Sequence, residues 1–449
     1  MKIGNYPASA IHMRIRKFAA AVLCLFISGV FLSARSQGLS FQRERGREML
    51  RMIKSDLEKN YYDLSFHNVD IDARFKEADE MIKKADSAGQ VYGIIAHTLL
   101  YLDDSHTFFI TPSHASRIDY GWQMQAFGER CFVTAVEPGS DAEAKGLKQG
   151  DVVESVDGMR PTRENLWMIK YLYYALRPRE HMQLTVHSPN RPPHQLDITA
   201  KVTEGKRITN LADYADVIRL GQQEEQEARL YRHRFYRVGD DVYVWKMPAF
   251  DLSQEEVDDI MDKVRNYKSL ILDLRGNGGG AIETLLRMIG NCFDHDVKVG
   301  DLTRRKDQKP LVARTRGSKI FKGQLIVLID NGSGSSSEIF ARVIQLEKRG
   351  VVLGDRSAGA VMEARHFPHA VGVDTFTFFG VSITEADLVM TDGKSLEKTG
   401  VAPDELLIPT AVDVAAGRDP VLTRAFALAG QKVEPDKAGA LFPIEWRKS

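Results

Sequence analysis

The sequence predicts an α/β protein in which a helical N-terminal region and a β-rich unit precede a core of alternating strands and helices. Three observations support this: helical periodicity up to about residue 117, short strands separated by turns over residues 118–203, and strand–turn–helix units from residue 237 onward. Units of the last kind form mostly parallel sheets, whose sites lie at the carboxyl ends of strands. The 449 residues suffice for two or three domains.

The first 36 residues have the pattern of a secretory signal peptide. Basic residues at positions 14–17 precede an apolar run from Phe18 to Leu32, and small residues follow at Ala34 and Ser36. The run is shorter than the roughly 20 apolar residues that a membrane-spanning helix needs. We therefore expect cleavage and export, to the periplasm or cell envelope if the source is bacterial. An uncleaved segment would instead attach the protein to a membrane.

Charge and cysteine content indicate which functions and which cross-links are not expected. The chain has 61 basic and 61 acidic residues. The signal segment carries five basic residues and no acidic one, so the mature chain has 56 against 61 and a formal charge of −5. This balance argues against nucleic-acid binding. Cys131 and Cys292 lie in different predicted units, so a disulfide between them is not expected.

The helical region is predicted over residues 37–117. Apolar residues recur at helical spacing from Met49 to Leu57 and again from Ile94 to Leu102. The second run ends at Asp103-Asp-Ser-His-Thr107, which includes His106. Histidine at a helix end often satisfies backbone carbonyls, and that interpretation stands beside a catalytic one.

The β-rich unit at 118–203 contains four motifs whose order resembles a PDZ domain of the bacterial protease type. They are Pro138-Gly-Ser140, Ala142-Glu-Ala-Lys-Gly-Leu147, Gly150-Asp-Val-Val153 and Val156-Asp-Gly158. The resemblance implies a Gly–hydrophobic–Gly loop for a peptide carboxylate. The nearest match, Gly121-Trp122, lacks the second glycine. Gly121 and Trp122 are the candidate peptide-binding residues, and the alternative is a module that only gates or scaffolds the active site.

Residues 204–236 are rich in charged side chains, which predicts a linker. The predicted core follows at residues 237–431, and residues 432–449 are predicted to form a tail. Buried strands are predicted in the core at Ser269–Leu274 and Gln324–Ile329. A glycine-rich turn follows each strand, so the two turns are expected to meet at one edge of the sheet.

Ser335 lies in the second of these turns, within Asp330–Glu338. A serine at a strand–helix junction lies near unpaired helix N–H groups, which can stabilise an oxyanion. Ser335 and Glu338 also match a capping box, in which serine caps the helix and glutamate bonds back. The first turn, Asp273–Gly280, supplies glycines whose N–H groups can approach a ligand closely.

Three segments in order, Leu272–Gly279, Asn331–Ala341 and Gly400–Asp404, resemble the C-terminal processing peptidases and tricorn-core serine peptidases that carry a PDZ domain. The resemblance implies a ClpP/crotonase-like superhelical core and endopeptidase activity on peptides or proteins, without a cofactor. It places the nucleophile at Ser335.

The same resemblance places the oxyanion donors at the backbone N–H of Ser336 and of Gly278 or Gly279.

The family has two catalytic arrangements. The Ser–Lys arrangement places a lysine after the next strand, where this chain has Ala360, and no lysine occurs between Lys348 and Lys394. The Ser–His–Glu arrangement implies His106 and Glu397, although Asp392 and other acids lie close to the latter. Imidazole is a suitable base near neutral pH.

Three hypotheses follow. The first is a peptidase with the triad Ser335, His106 and Glu397, the second a catalytically inactive peptide-binding or scaffold protein, and the third a Ser–Lys protease with a relocated lysine such as Lys394. His366 and His369 flank Pro368, which spoils a helical pair of metal ligands, so no metal site is predicted.

Overall fold

The computed structural model describes most of the chain in five stretches. These are residues 38–112, 116–188, 191–204, 232–372 and 376–447. The predicted signal peptide and most of the predicted linker lie outside the described residues. Within the five stretches, no helix combines the length and the apolar composition needed to cross a membrane.

Three helices form the N-terminal region. They are α1 at residues 38–60, α2 (Ile71–Ile82) and α3 (Ala88–Leu100), with a 3₁₀ turn at Phe66–Asn68. Their predicted apolar faces are buried and pack on Val381 and Ile383 of the core. The region ends in a strand, β1 (Phe108–Ile110), which the helical prediction did not include. β1 pairs with residues 380–382 and so attaches the N-terminal region to the core.

Residues 116–204 form the inserted unit. Its elements are β2 (Ser116–Asp119), β3 (Trp122–Phe127), β4 (Arg130–Val136), α4 (Asp141–Ala144), β5 (Val152–Val156), α5 (Leu166–Tyr171), β6 (His181–His187), β7 (His194–Thr199) and β8 (Lys201–Glu204). Strands β3 to β7 pair in chain order, so β3 lies at an edge, and β2 pairs with β8. Helix α5 is followed directly by a π-helical turn at Leu172–Leu176.

The core alternates strands and helices as predicted. Its elements are β9 (Arg234–Val238), β10 (Val242–Lys246), α6 (Gln254–Val264), β11 (Ser269–Asp273), α7 (Ile282–Gly290), β12 (Val297–Arg304), β13 (Gln308–Ala313), a 3₁₀ turn (Gly317–Lys319), β14 (Gln324–Ile329), α8 (Ser336–Leu346), β15 (Gly350–Gly354), β16 (Met362–Val371), β17 (Thr377–Met390) and β18 (Glu405–Leu406). Strand β9 begins at Arg234, inside the predicted linker.

Two sheets organise the core. The first has the order β18-β15-β14-β11-β10-β9 and is parallel except for β9, which confirms a mostly parallel sheet. The second is antiparallel, with the order β1-β17-β12-β13 and with β16 also on β17. It was not predicted. Its long hairpin brings segments more than 250 residues apart into register, as in Phe109 opposite Val381.

The C-terminal segment packs on the first sheet. Its helices are α9 (Ala411–Ala415), α10 (Pro420–Leu428) and α11 (Pro435–Gly439). Ala438 of α11 is buried in a cluster with Val244 and Ile271 of the sheet. Residues after 431, predicted as a tail, therefore contribute to the core, because their apolar side chains cover one face of the sheet.

The two cysteines of the mature chain are buried and unpaired. Cys131 lies in the inserted unit and Cys292 in the core. Burial raises the pKa of the Cys131 thiol to about 11 and that of Cys292 to about 12. Both thiols are therefore protonated at neutral pH and act as small apolar side chains.

Candidate active site

Ser335 lies where β14 meets α8, in a strained backbone conformation. Its φ of 51° and ψ of −117° are uncommon for a residue other than glycine. The Ser335 N–H donates to the carbonyl of Ala360 at 2.8 Å, and the Ser335 carbonyl accepts from the N–H of Glu338 at 2.9 Å and of Ile339 at 3.0 Å. Because backbone groups hold this turn, the hydroxyl of Ser335 is not needed as a helix cap.

The carboxylate of Glu338 fastens the Ser335 turn to the next loop. Its Oε2 accepts from the N–H groups of Ser335 at 3.0 Å and Ala360 at 2.9 Å. Its Oε1 accepts from the Ser357 hydroxyl at 2.6 Å and the Gly359 N–H at 2.7 Å. Burial raises the pKa of Glu338 to about 7, and these four donors oppose the rise. Glu338 thus acts as a structural anchor behind the serine.

The first glycine-rich turn lies directly against Ser335. At Gly279, φ is 106°, and a Cβ there would lie 2.6 Å from the Ser335 Cβ and 3.1 Å from the Ser336 nitrogen. Both the backbone conformation and the space require glycine at this position. The two turns expected to meet at the sheet edge are therefore in contact.

The predicted oxyanion donors differ in their hydrogen bonding. The Gly279 N–H donates to Oδ1 of Asn277 at 2.8 Å. The N–H groups of Gly278 and Ser336 donate to no other protein group among the described residues. Of the three predicted donors, Gly278 and Ser336 thus remain available to a bound substrate.

His106 follows α3 and lies in a half-buried position. Its Nδ1 is 2.7 Å from the hydroxyl oxygen of Ser105, and its backbone N–H donates to Asp104 Oδ1 at 3.0 Å. Burial lowers the pKa of His106, the charge of Asp104 opposes this, and the nearby His366 lowers the pKa further. A neutral imidazole, as a general base requires, is therefore favoured near neutral pH.

Glu397 reaches His106 through Ser105. Its Oε2 accepts from the Ser105 hydroxyl at 2.8 Å, and its Oε1 accepts from the Ser105 N–H at 2.9 Å. Burial raises the pKa of Glu397, while these bonds and one from the Val361 N–H oppose the rise. The sequence analysis did not single out Ser105. Its position beside His106 was visible, but its contact with a residue 292 positions away was not.

A continuous path of bonded groups connects the histidine side of the site with Ser335. The Val361 N–H donates to Glu397 Oε2 at 2.9 Å, and the carbonyl of the preceding residue, Ala360, accepts from the Ser335 N–H. No hydrogen bond joins Ser335 Oγ directly to His106 in the described stretches. Catalytic hydrogen bonds are often long before substrate binds.

Position 360 therefore lies beside the candidate nucleophile, where the Ser–Lys arrangement would place its lysine. Its alanine side chain carries no base. Lys394 lies in the turn after β17, where its carbonyl accepts from the Met390 N–H, and Lys398 pairs with Asp103. No hydrogen bond between Ser335 and a lysine occurs among the described residues.

The inserted unit contacts the glycine-rich turn that carries Ser335. Gln125 of β3 donates from its side-chain amide to Oδ2 of Asp330. Oδ1 of Asp330 accepts from the N–H groups of Gly276 and Gly332, both at 2.8 Å. Asp330 thus holds the two glycine-rich turns together, and Gln125 of β3 bonds to this same carboxylate.

A buried ion pair connects the inserted unit to the loop after β15. Arg163 lies 3.5 Å from Asp355, with side chains 5% and 4% exposed. Arg163 also donates to the carbonyl of Arg356 at 2.7 Å, and Asp355 accepts from the Gly128 N–H at 2.9 Å. Breaking one partner of such a pair is costly because the other charge remains buried.

The candidate peptide-binding residues lie at the start of β3. Gly121 has φ of 69°, and a Cβ there would lie 2.4 Å from the Ser140 Cβ. Its N–H donates to Asp119 Oδ1 at 3.0 Å. Trp122 is buried, and its indole N–H has no partner among the described groups.

His366 and His369 both lie on β16. His369 Nε2 is 2.5 Å from Asp56 Oδ2. The ring of His366 lies 6.3 Å from that of Phe108, close enough to His106 to influence its pKa. The described residues contain no cluster of potential metal ligands.

Comparisons with known proteins relate the core of this chain to a peptidase family. Residues 241–407 match the model of peptidase family S41. This match spans both glycine-rich turns and Glu397, and the chain is similar to the S41 peptidases over that region. Its class is therefore that of the serine-type peptidases, which are hydrolases.

Curated relatives of this chain include a processing peptidase and a tail-specific protease. A chloroplastic C-terminal processing peptidase of Tetradesmus obliquus is 25% identical over 79% of this chain and 75% of its own length. A tail-specific protease of Haemophilus influenzae is 26% identical over 74% of this chain. The chain spans about half of the latter protein's length (47%). Among solved structures, mature CPAF has a TM-score of 0.62 at 14% identity, with 84% of this chain and 95% of that one covered, and this likeness concerns the fold.

Proposed function

We propose that this chain is an exported serine endopeptidase that hydrolyses peptide bonds with Ser335, His106 and Glu397. The observation that carries the proposal is the hydrogen-bonded path from Glu397 through Ser105 to Nδ1 of His106. The path is anchored at Val361, one residue beyond the carbonyl that accepts the Ser335 N–H.

In this proposal, the path determines which ring nitrogen of His106 carries the proton. The Ser105 hydroxyl donates to Glu397, so its oxygen accepts from the Nδ1–H of His106, and Nε2 is left as the base. Nε2 takes the proton of Ser335 as Oγ attacks the substrate carbonyl. The imidazolium then returns this proton to the leaving amine. Glu397 stabilises the imidazolium through Ser105.

The oxyanion of the tetrahedral intermediate would be held by backbone N–H groups. Ser336 stands at the first turn of α8, where the helix dipole also favours negative charge. Gly278 supplies the second donor, with Gly279 holding the close approach to Ser335. Water then repeats the sequence on the acyl-enzyme, with Nε2 again as base.

The substrates in this proposal are peptides or proteins, and the inserted unit is a PDZ-like module that scaffolds the site or presents substrate. Support comes from Gln125, which bonds Asp330 of the Ser335 turn, and from Arg163, which pairs with Asp355 after β15. Export rests on the signal pattern of the first 36 residues. One relative is named as a chloroplastic processing peptidase, and a location of this kind agrees with our proposal that this chain is targeted for export.

The test compares Ser335→Ala with Ser318→Ala, an exposed serine far from the turn in sequence. Hydrolysis of a peptide library and labelling by a fluorophosphonate are measured on both. We expect Ser335→Ala to lose both signals while its thermal unfolding is unchanged, and Ser318→Ala to keep them. Undiminished hydrolysis in Ser335→Ala would contradict the proposal. Absence of labelling in the unaltered chain would favour the scaffold hypothesis.

A further inference from the structure

We propose that Asp419 is a positioning residue of the active site, which fixes the first glycine-rich turn by binding Arg275. Asp419 lies immediately before α10 in the C-terminal segment, and Arg275 lies within the turn Asp273–Gly280. The inference rests on the proposed peptidase function, because the same turn contains Gly278, a proposed oxyanion donor. It gives the C-terminal segment a part in catalysis.

The side chain of Arg275 is held by two carboxylates at once. Its Nη1 and Nη2 donate to Oδ1 and Oδ2 of Asp419 at 2.9 and 2.7 Å. Its Nε and Nη2 donate to Oδ1 and Oδ2 of Asp273 at 2.9 and 2.8 Å. The side chains of Arg275, Asp419 and Asp273 are 17%, 16% and 1% exposed. A planar guanidinium in two bidentate pairs, with little water around it, has a fixed position and orientation.

Asp419 also completes the charge balance of this cluster. Lys246 Nζ lies 3.2 Å from Asp273 Oδ1 and donates to the Arg275 carbonyl at 2.6 Å. The two cations, Arg275 and Lys246, therefore face two carboxylates, Asp273 and Asp419. Loss of the Asp419 charge would leave an excess cation in a partly buried place, which is unfavourable. The guanidinium would then be free to reorient, and the backbone of the turn with it.

The first glycine-rich turn depends on anchors outside itself. Four of its residues are glycines, which have little conformational preference of their own. One anchor is Asp330, which accepts from the Gly276 N–H at 2.8 Å. A second anchor acts one residue earlier, where Arg275 joins the turn to Asp419. Gly278 follows within three residues, so the loss of either anchor changes the direction of its N–H.

The C-terminal segment holds Asp419 by bonds that do not involve Arg275. The Asp419 side chain caps α10, since its Oδ1 accepts from the Leu422 N–H at 2.9 Å. The Asp419 N–H donates to the carbonyl of Pro435, at the start of α11, at 3.0 Å. Asparagine caps helices as well as aspartate does, but it carries no charge. Asp419→Asn therefore keeps the cap and removes the ion pair with Arg275.

Position and charge predict different outcomes when this pair is broken. A negative charge near an oxyanion disfavours it, and a positive charge favours it. If charge alone acted, loss of Asp419 would therefore speed the reaction, and loss of Arg275 would slow it. If the pair holds the turn in position, either loss slows the reaction.

The experiment measures fluorophosphonate labelling and peptide hydrolysis on the full chain. The variants are Asp419→Asn, Arg275→Met and the double variant. Asp436→Asn, which alters an exposed aspartate of the same C-terminal segment, is the control. The endpoint of labelling counts the active sites, and its rate measures the reactivity of Ser335. The values of kcat and KM are then referred to the counted sites.

We expect the labelling rate and kcat of Asp419→Asn to fall by about tenfold with KM unchanged, because a displaced oxyanion donor weakens binding of the transition state alone. Arg275→Met should fall at least as far. The double variant should be no slower than Arg275→Met, since Asp419 acts through Arg275. Asp436→Asn should match the unaltered chain.

Equal labelling rates in Asp419→Asn and the unaltered chain would overturn the inference. A faster rate in Asp419→Asn would overturn it too, because charge and not position would then dominate. Fewer active sites that react at an unchanged rate would show a purely structural role. If Arg275→Met does not fold, Asp419→Asn decides alone. Absence of labelling in every chain, the unaltered one included, would instead overturn the proposed function, and the inference with it.

Discussion

At the residue scale, the candidate site depends on charges that are buried to different degrees. Burial raises the pKa values of both Glu397 and Glu338, and converging hydrogen-bond donors oppose both rises. The pKa of His106 is lowered instead, since burial disfavours the cationic form of the imidazole. The carboxylates therefore hold structure and orientation, while the imidazole remains free to take a proton.

The sign of the His106 shift gives a pH prediction. His106 acts as a base only when neutral, so the acid limb of kcat/KM should lie below the ordinary histidine pKa of 6.5. His366 lowers the pKa of His106, and its replacement in His366→Gln removes that effect. The pKa of His106 then rises, and the acid limb moves to higher pH.

Peptide hydrolysis measured from pH 4 to 9 checks this shift. His181→Gln, an exposed histidine of the inserted unit, is the control and should keep the profile of the unaltered chain. A profile that is the same in His366→Gln, or one displaced to lower pH, would show that His106 does not control the acid limb.

At the element scale, strand β3 is connected to the two glycine-rich turns through one side chain. Gln125 bonds Asp330, whose other oxygen holds Gly276 and Gly332 in the two glycine-rich turns. Loss of the Gln125 amide would leave Asp330 less well fixed. Because the proposed oxyanion donors lie in these turns, the effect should be on the reactivity of Ser335.

Gln125→Leu should therefore slow fluorophosphonate labelling by about tenfold, the cost of one hydrogen bond to a charged group. Gln123→Leu is the matched control, since Gln123 lies on the same face of β3 and is exposed. Labelling needs no bound peptide, so the comparison separates positioning of the turns from substrate binding. Equal rates in the two variants would rule out the positioning role.

At the scale of the whole molecule, local patterns predicted the elements, and distant contacts decided the rest. Strand Gln324–Ile329 was predicted with its observed bounds because a continuous apolar run is bounded by polar turns. The antiparallel sheet was missed because its strands are stabilised by partners far along the chain, as in Thr303 opposite Asp387. α11 was missed because so short a helix depends on packing.

The candidate site shows the same division between features that are local in sequence and contacts between distant residues. The serine turn, the glycine turn and the histidine motif are local in sequence and could be singled out. Ser105 could not, since its role depends on Glu397, which the fold brings from the other end of the core. Glu338 was predicted as half of a capping box, and the structure shows it bonding four groups from two loops. Such convergence is a property of the assembled molecule.

The most direct test of the central proposal is the rate of fluorophosphonate labelling in His106→Ala, with the adduct located by peptide mass spectrometry. The account predicts an adduct on Ser335 in the unaltered chain, and a rate lower by about 10² to 10⁴ in His106→Ala, the usual contribution of a general base. Lys394→Met should label at the unaltered rate. An undiminished rate in His106→Ala, or a loss of labelling in Lys394→Met, would contradict the account.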